Sequence, residues 1–576
     1  MKKIIYMLFV QAFLLTSCED FIDLKPLDKI STDDYWKTPN DLEYYTMQFY
    51  PSFYNSDNSG SVLKQMVTET ALDSDDMLHG GYASNILNGK RSRRTGDWKW
   101  EWNKIRNVNI FFENYHKCED DFSTYKHYVG EAHFFRAWFY FNLLKRYGDV
   151  PWYSNVLELD SDEELMRPRD SRTLIADSIL ADLDKAVSYL DMRSQVGNNR
   201  INKEAALAFK TRVALYEGTW QKYHANTVFG SSGANPGKYF NQVVQAAEEL
   251  MNGNYKVGIY STNNPDEDYF RLFGLDNMSD VNEVLLYRAF NAADGAGNSV
   301  QGFITYNADQ KGITWELVSS YLGKDGKPYN YLDLAKTTKG NAFLNKISED
   351  CDPRLKSTIW MPGDLMSQVT GAYFDKPTVN AGSLQLCPTG FQVKKTGNPY
   401  SPAAGQSWEI QAETGFIILR YGEVLLNYAE AKCELDGTIA LESLNLLRKR
   451  AGMSDFSVNL QQSDPNRVDY GYEISDGLYE IRRERRVEMA LEGQRDEDYQ
   501  RWAAHALFKG KRPKGYPVSP EEFPDYPHPV DENGLIDFYK SQLPNGYEFR
   551  EGQDYLLSIP QDEITLNPNL KQNPGW

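Results

Sequence analysis

The chain has 576 residues, enough to bury a large core, and a formal net charge of −19. A surface this acidic repels nucleic acid and anionic lipid, so neither is expected as a partner. Aromatic content is high, with 38 Tyr, 28 Phe and 12 Trp, and Tyr and Trp suit sites that are half wet and half apolar.

The front of the chain is a targeting pattern. Lys2 and Lys3 are basic, and Ile4 to Leu15 is an apolar run of 12 residues. A bilayer span needs about 20 such residues, so the run reads as a secretory h-region. Leu15, Thr16, Ser17 and Cys18 then have the form of a lipobox: an aliphatic residue, two small ones and a thiol to carry lipid. This predicts a signal peptide over 1–17 and lipid attachment at Cys18. An ordinary secretory peptide with a chance cysteine is the competing reading. Two or more acyl chains hold a protein stably on a membrane, where one is marginal. Loss of Lys2 and Lys3 takes the net charge from −19 to −21. No later segment holds the roughly 18 consecutive apolar residues of a membrane helix, so the membrane is met only through the anchor.

Of five cysteines, Cys118, Cys351, Cys387 and Cys433 remain beside Cys18. None forms a C-x-x-C pair, so a metal ribbon or redox motif is unsupported, and buried thiols are expected.

The stretch from Asp73 to Trp102 is a polar, Gly-containing loop leading into a helix. If the helix takes in the tryptophans, Trp98 and Trp102 share a face and Trp100 points elsewhere. Trp102 aligns with Ile105 and Phe112 and is assigned to the core. Trp98, at the start of the helix, is the ligand-facing candidate and Trp100 the reserve. Asp73, Tyr82 and Arg93 lie in the same loop.

Helical periodicity follows. Ala132, Phe135, Phe139 and Leu143 mark one helix between Ser123 and Tyr147, stopped by Gly148 with Pro151 beyond. A second is capped by Asp170 or Ser171 and carries Leu174, Ile175, Ile179, Leu183 and Leu190 in one stripe. A third begins behind Asn202, and a further pair reads over Phe416–Leu435 and Ile439–Arg450. Helix-turn-helix units of roughly 34 residues describe tetratricopeptide-like repeats; the strict consensus is absent, so the repeats are irregular.

Between the helical blocks, residues 254–316 carry short β-rich runs with Gly and Asn turns, predicting hairpins and loops. Thr314 caps a helix opening at Trp315, which puts that indole at a loop–helix junction, with Asn291 and Tyr306 nearby in sequence. Ordinary packing competes with ligand contact for each of these aromatics. Residues 360–412 and 509–560 read as long ordered loops, which are often functional. The run Arg482, Arg483, Arg485, Arg486 alternates with Glu480, Glu484 and Glu488. It reads as i,i+4 ion pairs giving a few tenths of a kcal/mol each, not as an anion site.

Several blocks now resemble one family in order: "CEDFIDLKP"; "EAHFFRAWFYFNLLKRYGDVP", with Glu131, Arg136, Gly148, Asp149 and Pro151; "CDPRLKSTIWMPG", with Asp352 to Leu355; "ILRYGEVLLNYAEAKCEL"; "IRRERRVEMALEGQRDEDYQRW", with Glu484, Arg485, Glu488, Glu492, Gly493, Arg495 and Trp502; and the tail "LLSIPQDEITLNPNLKQNPGW". The chain resembles RagB/SusD-like lipoproteins. That resemblance implies a mainly α fold of about four tetratricopeptide-like helix pairs carrying a loop-rich ligand face with short β-hairpins. It implies an outer-membrane lipoprotein facing the cell exterior, with Glu19 and Asp20 helping to route it there. Its implied role is to capture oligosaccharide and serve as a lid over a SusC-like TonB-dependent transporter. It also implies that the two loop regions above form the ligand face, whose side chains vary between members. Peptide or glycoprotein-glycan capture is the alternative. The expected organisation is an N-terminal helical region over 18–250 and a C-terminal region over 251–576, forming one compact unit.

No H-E-x-x-H, G-x-S-x-G or Walker loop is present, and the 7 His form no metal-like cluster. Neither catalysis nor a cofactor or metal is expected. A structural surface protein and an unrecognised glycoside hydrolase are the remaining readings from other classes.

Overall fold

The computed structural model describes residues 35–53, 71–93, 100–157, 161–407 and 409–576. The lipobox with Cys18, the pair Glu19 and Asp20, and Trp98 lie outside the described residues.

Helices dominate. We number α1 Pro39–Met47, α2 Asn103–Asn114, α3 Phe122–Tyr147, α4 Arg172–Tyr189, α5 Lys203–Tyr223, α6 Pro236–Asn252, α7 Tyr421–Asp436, α8 Leu441–Arg450, α9 Asp476–Glu488 and α10 Arg495–Arg501. Their ends follow local chemistry. Ser171 Oγ accepts from Leu174 N at 3.3 Å to start α4, and Asn202 Oδ1 accepts from Ala205 N at 2.9 Å to start α5. Gly148 and Gly437, at φ 71° and 78°, close α3 and α7 in a backbone region that suits glycine.

The core of the scaffold is a succession of helices in which α3 packs on α4, α4 on α5, α5 on α6 and α6 on α7. This is the irregular tetratricopeptide-like array. Helix α3 is buried almost all round from Val129 to Leu144, as a helix apolar on every face must be. On α4, Ile175, Ile179, Leu183 and the following Leu190 are buried, but Leu174 is 43% exposed. It sits one residue out of phase with that stripe, about 100° around the helix.

Two expectations are corrected. The segment Phe416–Arg420 is not the start of a helix but strand β6, whose apolar, β-branched run favours extension. It pairs antiparallel with β2, Val284–Arg288. The strands of residues 254–316 are also not hairpins: β3, Lys311–Ile313, pairs with β1, Met77–His79, far back in the chain. Strands β4 and β5, Leu365–Ser367 with Ala372–Tyr373, form a hairpin, and within 254–316 an antiparallel bridge closes the tight turn from Asn291 to Ala296. Residues 360–407, 409–412 and 509–560 are otherwise turns and extended chain with a short 3-10 turn at Ser383–Gln385, closed over a second apolar core that includes Ile304, Leu317, Tyr331, Phe343, Trp360 and Phe391.

The arginine-rich helix α9 also differs from expectation. Its charged side chains are buried, and most of their partners belong to other elements. Glu488 receives Arg354 at 2.8 Å, Arg420 at 2.9 Å and Arg450 as well. Burial alone would raise its pKa, but the three guanidinium groups outweigh burial and hold the carboxyl far below the usual range. Arg485 holds Asp498 at 2.9 Å. Arg482 lies over the rings of Tyr223, Tyr470 and Trp502 at 4.7, 4.9 and 4.3 Å. The energy scale is therefore that of buried charge networks, where removing one partner costs about 3–5 kcal/mol, and not that of surface pairs.

Cys118, Cys351, Cys387 and Cys433 are free and buried.

Candidate ligand-binding face

Strands β1 and β3 join the two loop regions that the sequence singles out. Met77 faces Ile313, Leu78 faces Gly312 and His79 faces Lys311. Just before the ladder, Thr314 Oγ1 donates to Asp75 O at 2.6 Å and caps the one-turn helix Trp315–Val318. Just after it, Gly80 N donates to Gln310 O at 2.7 Å.

The turn that follows is "HGGY". A Cβ on Gly80 would lie 3.0 Å from Leu386, and one on Gly81 would lie 3.2 Å from the His79 ring. Glycine at both positions lets the chain fold back tightly. The fold-back lays the Tyr82 ring on the imidazole of His79, with centroids 4.2 Å apart and planes 25° apart. Gly81 N donates to His79 Nδ1 at 2.9 Å, which leaves the ring proton of a neutral imidazole on Nε2. From behind, Tyr539 Oη meets the carbonyls of His79 and Tyr82 at 2.7 and 2.6 Å. Tyr82 remains 53% exposed and Tyr306 55% exposed. Shortly after Tyr306, Asp309 and Gln310 hold φ of 49° and 57°, two adjacent non-glycine residues in the left-handed region.

Charge is fixed beneath this ladder. Arg486 holds Asp75 at 3.0 Å and Asp76 at 2.7 Å, and Arg495 holds Asp75 at 2.7 Å. Burial opposes ionisation of Asp75, yet the two arginines hold its carboxyl well below the ordinary range. At Glu316 burial outweighs the nearby Arg486 and pushes the carboxyl up to about 7.

The other sequence candidates fall in different places. Asp73 is exposed and accepts from Ser84 Oγ at 2.6 Å, and Arg93 is exposed. Asn291 shapes a turn, its Oδ1 accepting from Ala293 N at 3.0 Å and its amide meeting Asp294 at 2.6 Å. Trp315 is half-buried, stacked 5.8 Å from Phe343 and edge-on to Tyr331 at 6.1 Å, so packing occupies much of its surface. The two tryptophans before α2 differ in burial, and both line one cavity. Trp100 is 4% exposed and meets Tyr147 edge-on at 4.8 Å. Trp102, read as core, is half-buried and lines a cavity of about 480 Å³ with Arg106, Tyr153 and Leu566. The reason is that α2 opens only at Asn103, so helical phase does not apply to the tryptophans before it.

His79, Gln310 and Tyr539 were missed by sequence reasoning. The doubled glycine before Tyr82 is the one local signal for the stack. Nothing near Tyr539 points to residues some 460 positions earlier.

An exposed phenol stacked on an imidazole and backed by hydrogen-bonded peptide groups fits the apolar face and hydroxyl rim of a sugar ring. Among the described residues, no group of three or more His, Cys, Asp or Glu is placed to hold a metal ion. No helix among them is long and apolar enough to cross a membrane.

Residues 282–576 match the SusD family, and residues 20–215 match a family described as starch-binding and associating with the outer membrane. SusD-like protein P2 of Formosa agariphila is 23% identical over 591 aligned positions, covering 100% of both chains. SusD-like protein P38 of the same organism is 26% identical over 242 positions, which is 40% of this chain and 44% of that one. A crystal structure of a SusD-like carbohydrate binding protein from Bacteroides fragilis superposes with a TM-score of 0.70 at 22% identity, covering 93% of this chain and 99% of that one.

Proposed function

The chain belongs to the SusD/RagB family, and from that premise we propose that it is an outer-membrane, lipid-anchored glycan-binding protein. It captures oligosaccharide at the face built by β1 and β3 and passes it to a partner SusC-like TonB-dependent transporter. The observation that carries this reading is the exposed, back-supported Tyr82–His79 stack, at the junction of the two loop regions where the family resemblance places ligand. Support comes also from the outer-membrane, starch-binding description that the N-terminal part matches and from the name of the Bacteroides fragilis neighbour. Cys18 carries the anchor, and the anchor faces the ligand site outward from the cell. Tyr306, Asp73 and Arg93 extend the face.

The test is a binding screen of the full mature chain against neutral and acidic polysaccharides and peptides, with every hit analysed for cleavage products. Saturable binding of a glycan without product supports the reading. Turnover of a glycan would make the protein an enzyme instead, and saturable binding of peptides alone would replace the ligand class.

A further inference from the structure

A groove of about 700 Å³ opens elsewhere on the molecule. Its walls come from residues 260–276, 356–365 and 394–400 and share no residue with Asp73–Trp102 or Tyr287–Trp315, the two loop regions joined at the β1–β3 face. Two glycines let these walls close up: a Cβ on Gly274 would lie 2.6 Å from Gly397 O.

Three rings line the groove, those of Tyr260, Phe270 and Tyr400. Tyr260 and Phe270 are half-buried, while Tyr400 is 68% exposed. Phe270 is held by Lys394, whose Nζ lies 5.0 Å from its centroid. The same Nζ meets Asp364 Oδ2 at 2.7 Å, and Met361 N donates to that oxygen at 2.8 Å. The chain turns at Asn398, whose Oδ1 accepts from Tyr400 N at 3.1 Å, and Thr414 Oγ1 donates to Asp276 at 3.2 Å. Ammonium, carboxylate and amide groups thus sit beside ring faces, the mixture that small polar ligands with an apolar face require.

The charges narrow the ligand further. Each cation lining the groove already holds an acid: Lys394 with Asp364, Lys356 with Asp266 and Arg271 with Glu267, each at 2.7 Å. Asp276 adds an acid without a matching cation. No positive charge is left over for a uronate, sulfate or phosphate. A strongly cationic ligand has only one surplus carboxylate to meet. A purely apolar ligand would strip water from these paired groups with nothing in exchange.

We propose that this groove is a second, independent binding site for a neutral oligosaccharide, with sugar rings on Phe270 and Tyr400 and hydroxyls on Asp364, Lys394 and Asn398. The proposal rests on the glycan-binding reading but not on the Tyr82 face. Such an arrangement raises retention of a long glycan, because the second contact becomes intramolecular once the first is made.

The experiment is calorimetric titration of the full mature chain with maltoheptaose and laminarihexaose, and with hexagalacturonate as the acidic probe. Three proteins are compared: unsubstituted, Tyr82→Ala, and the double variant Phe270→Ala/Tyr400→Ala. The proposal expects two sites per chain for at least one neutral probe, and one site in each variant. Loss of the stacking rings weakens the groove about tenfold or more, and raising salt leaves its affinity unchanged because no net charge is matched. Asn398→Asp, which adds a charge without removing a ring, serves as a second variant should the double variant melt early, and it too weakens the groove. One site that Tyr82→Ala removes and the groove variants leave untouched overturns the proposal while the function stands. One site that the groove variants remove and Tyr82→Ala leaves untouched upholds the groove and moves the function to it. Preference for hexagalacturonate overturns the neutral-ligand assignment. No binding of either neutral probe overturns both the groove and the glycan reading.

Discussion

Helix α9 and the β1–β3 face both contain polar side chains held in fixed positions, but by different means. On α9, four arginines and three glutamates are buried, and carboxylates such as Glu488 have several guanidinium partners drawn from distant segments. At the face, Tyr82 is exposed, its ring stacked on that of His79 and its carbonyl held by the hydroxyl of Tyr539. The first arrangement ties the segments of residues 354, 420 and 450 to one helix and buries its charges away from solvent. The second leaves a surface open at the expense of local stability. Binding faces are drawn from the weakly held parts of a fold for this reason.

If that contrast is real, substitutions on α9 damage the fold and substitutions on the face damage binding. The largest effect belongs to Glu488→Ala, which takes a shared carboxylate from three buried guanidinium groups. It should cost about 3–5 kcal/mol of stability, read as a fall in denaturant midpoint, with glycan affinity unchanged in whatever fraction stays folded.

Acid probes the scaffold in another way. Burial holds His224 down to about 3, its ring 4.0 Å from that of Trp220 and its Nε2–H donating to Gln500 O at 2.8 Å. The unfolded chain takes up this proton near pH 6.5, and the folded chain does not until far lower. Stability from this group is therefore complete above about pH 6.5 and is lost as pH falls toward 3. His224→Gln keeps a donor for Gln500 but does not titrate. Its melting temperature should fall less between pH 6.5 and 4.5 than that of the unsubstituted chain, and equal slopes would refute the assignment.

Smaller effects are expected at the face. Tyr539→Phe removes the hydroxyl shared by the carbonyls of His79 and Tyr82. It should cost about 1–3 kcal/mol and weaken glycan binding as well, whereas a wholly separate scaffold and face would show only the stability loss. Gln310→Gly relieves a left-handed φ of 57° and should raise stability by about 0.5–1 kcal/mol, detectable as a small rise in melting temperature.

The same contrast explains what could be read from the sequence. Helices α3, α4 and α5 were legible because caps and stripes are local: Ser171, Asn202 and Gly148 mark their ends within a few residues. Leu174 misled because stripe membership tolerates a neighbour one position away. Strand β6 was read as helix because an apolar run of Phe416–Arg420 leading directly into α7 carries no break. The two loop regions are joined by pairing His79 with Lys311, which no local pattern encodes. Trp100 and Trp102 were assigned by helical phase over residues that precede the helix. The size of the α9 ion pairs was misjudged because alternating charge on a helix is usually solvated, and here its partners come from segments at residues 75, 354, 420 and 450.

The central claim is that the Tyr82–His79 stack receives a sugar ring. The direct measurement is the affinity of the best-binding glycan for the unsubstituted chain and for Tyr82→Ala, taken with the melting temperature of each. The account predicts a loss of about tenfold in affinity with the melting temperature unchanged, since half of the ring is already in water. Equal affinities in two equally stable proteins would contradict it.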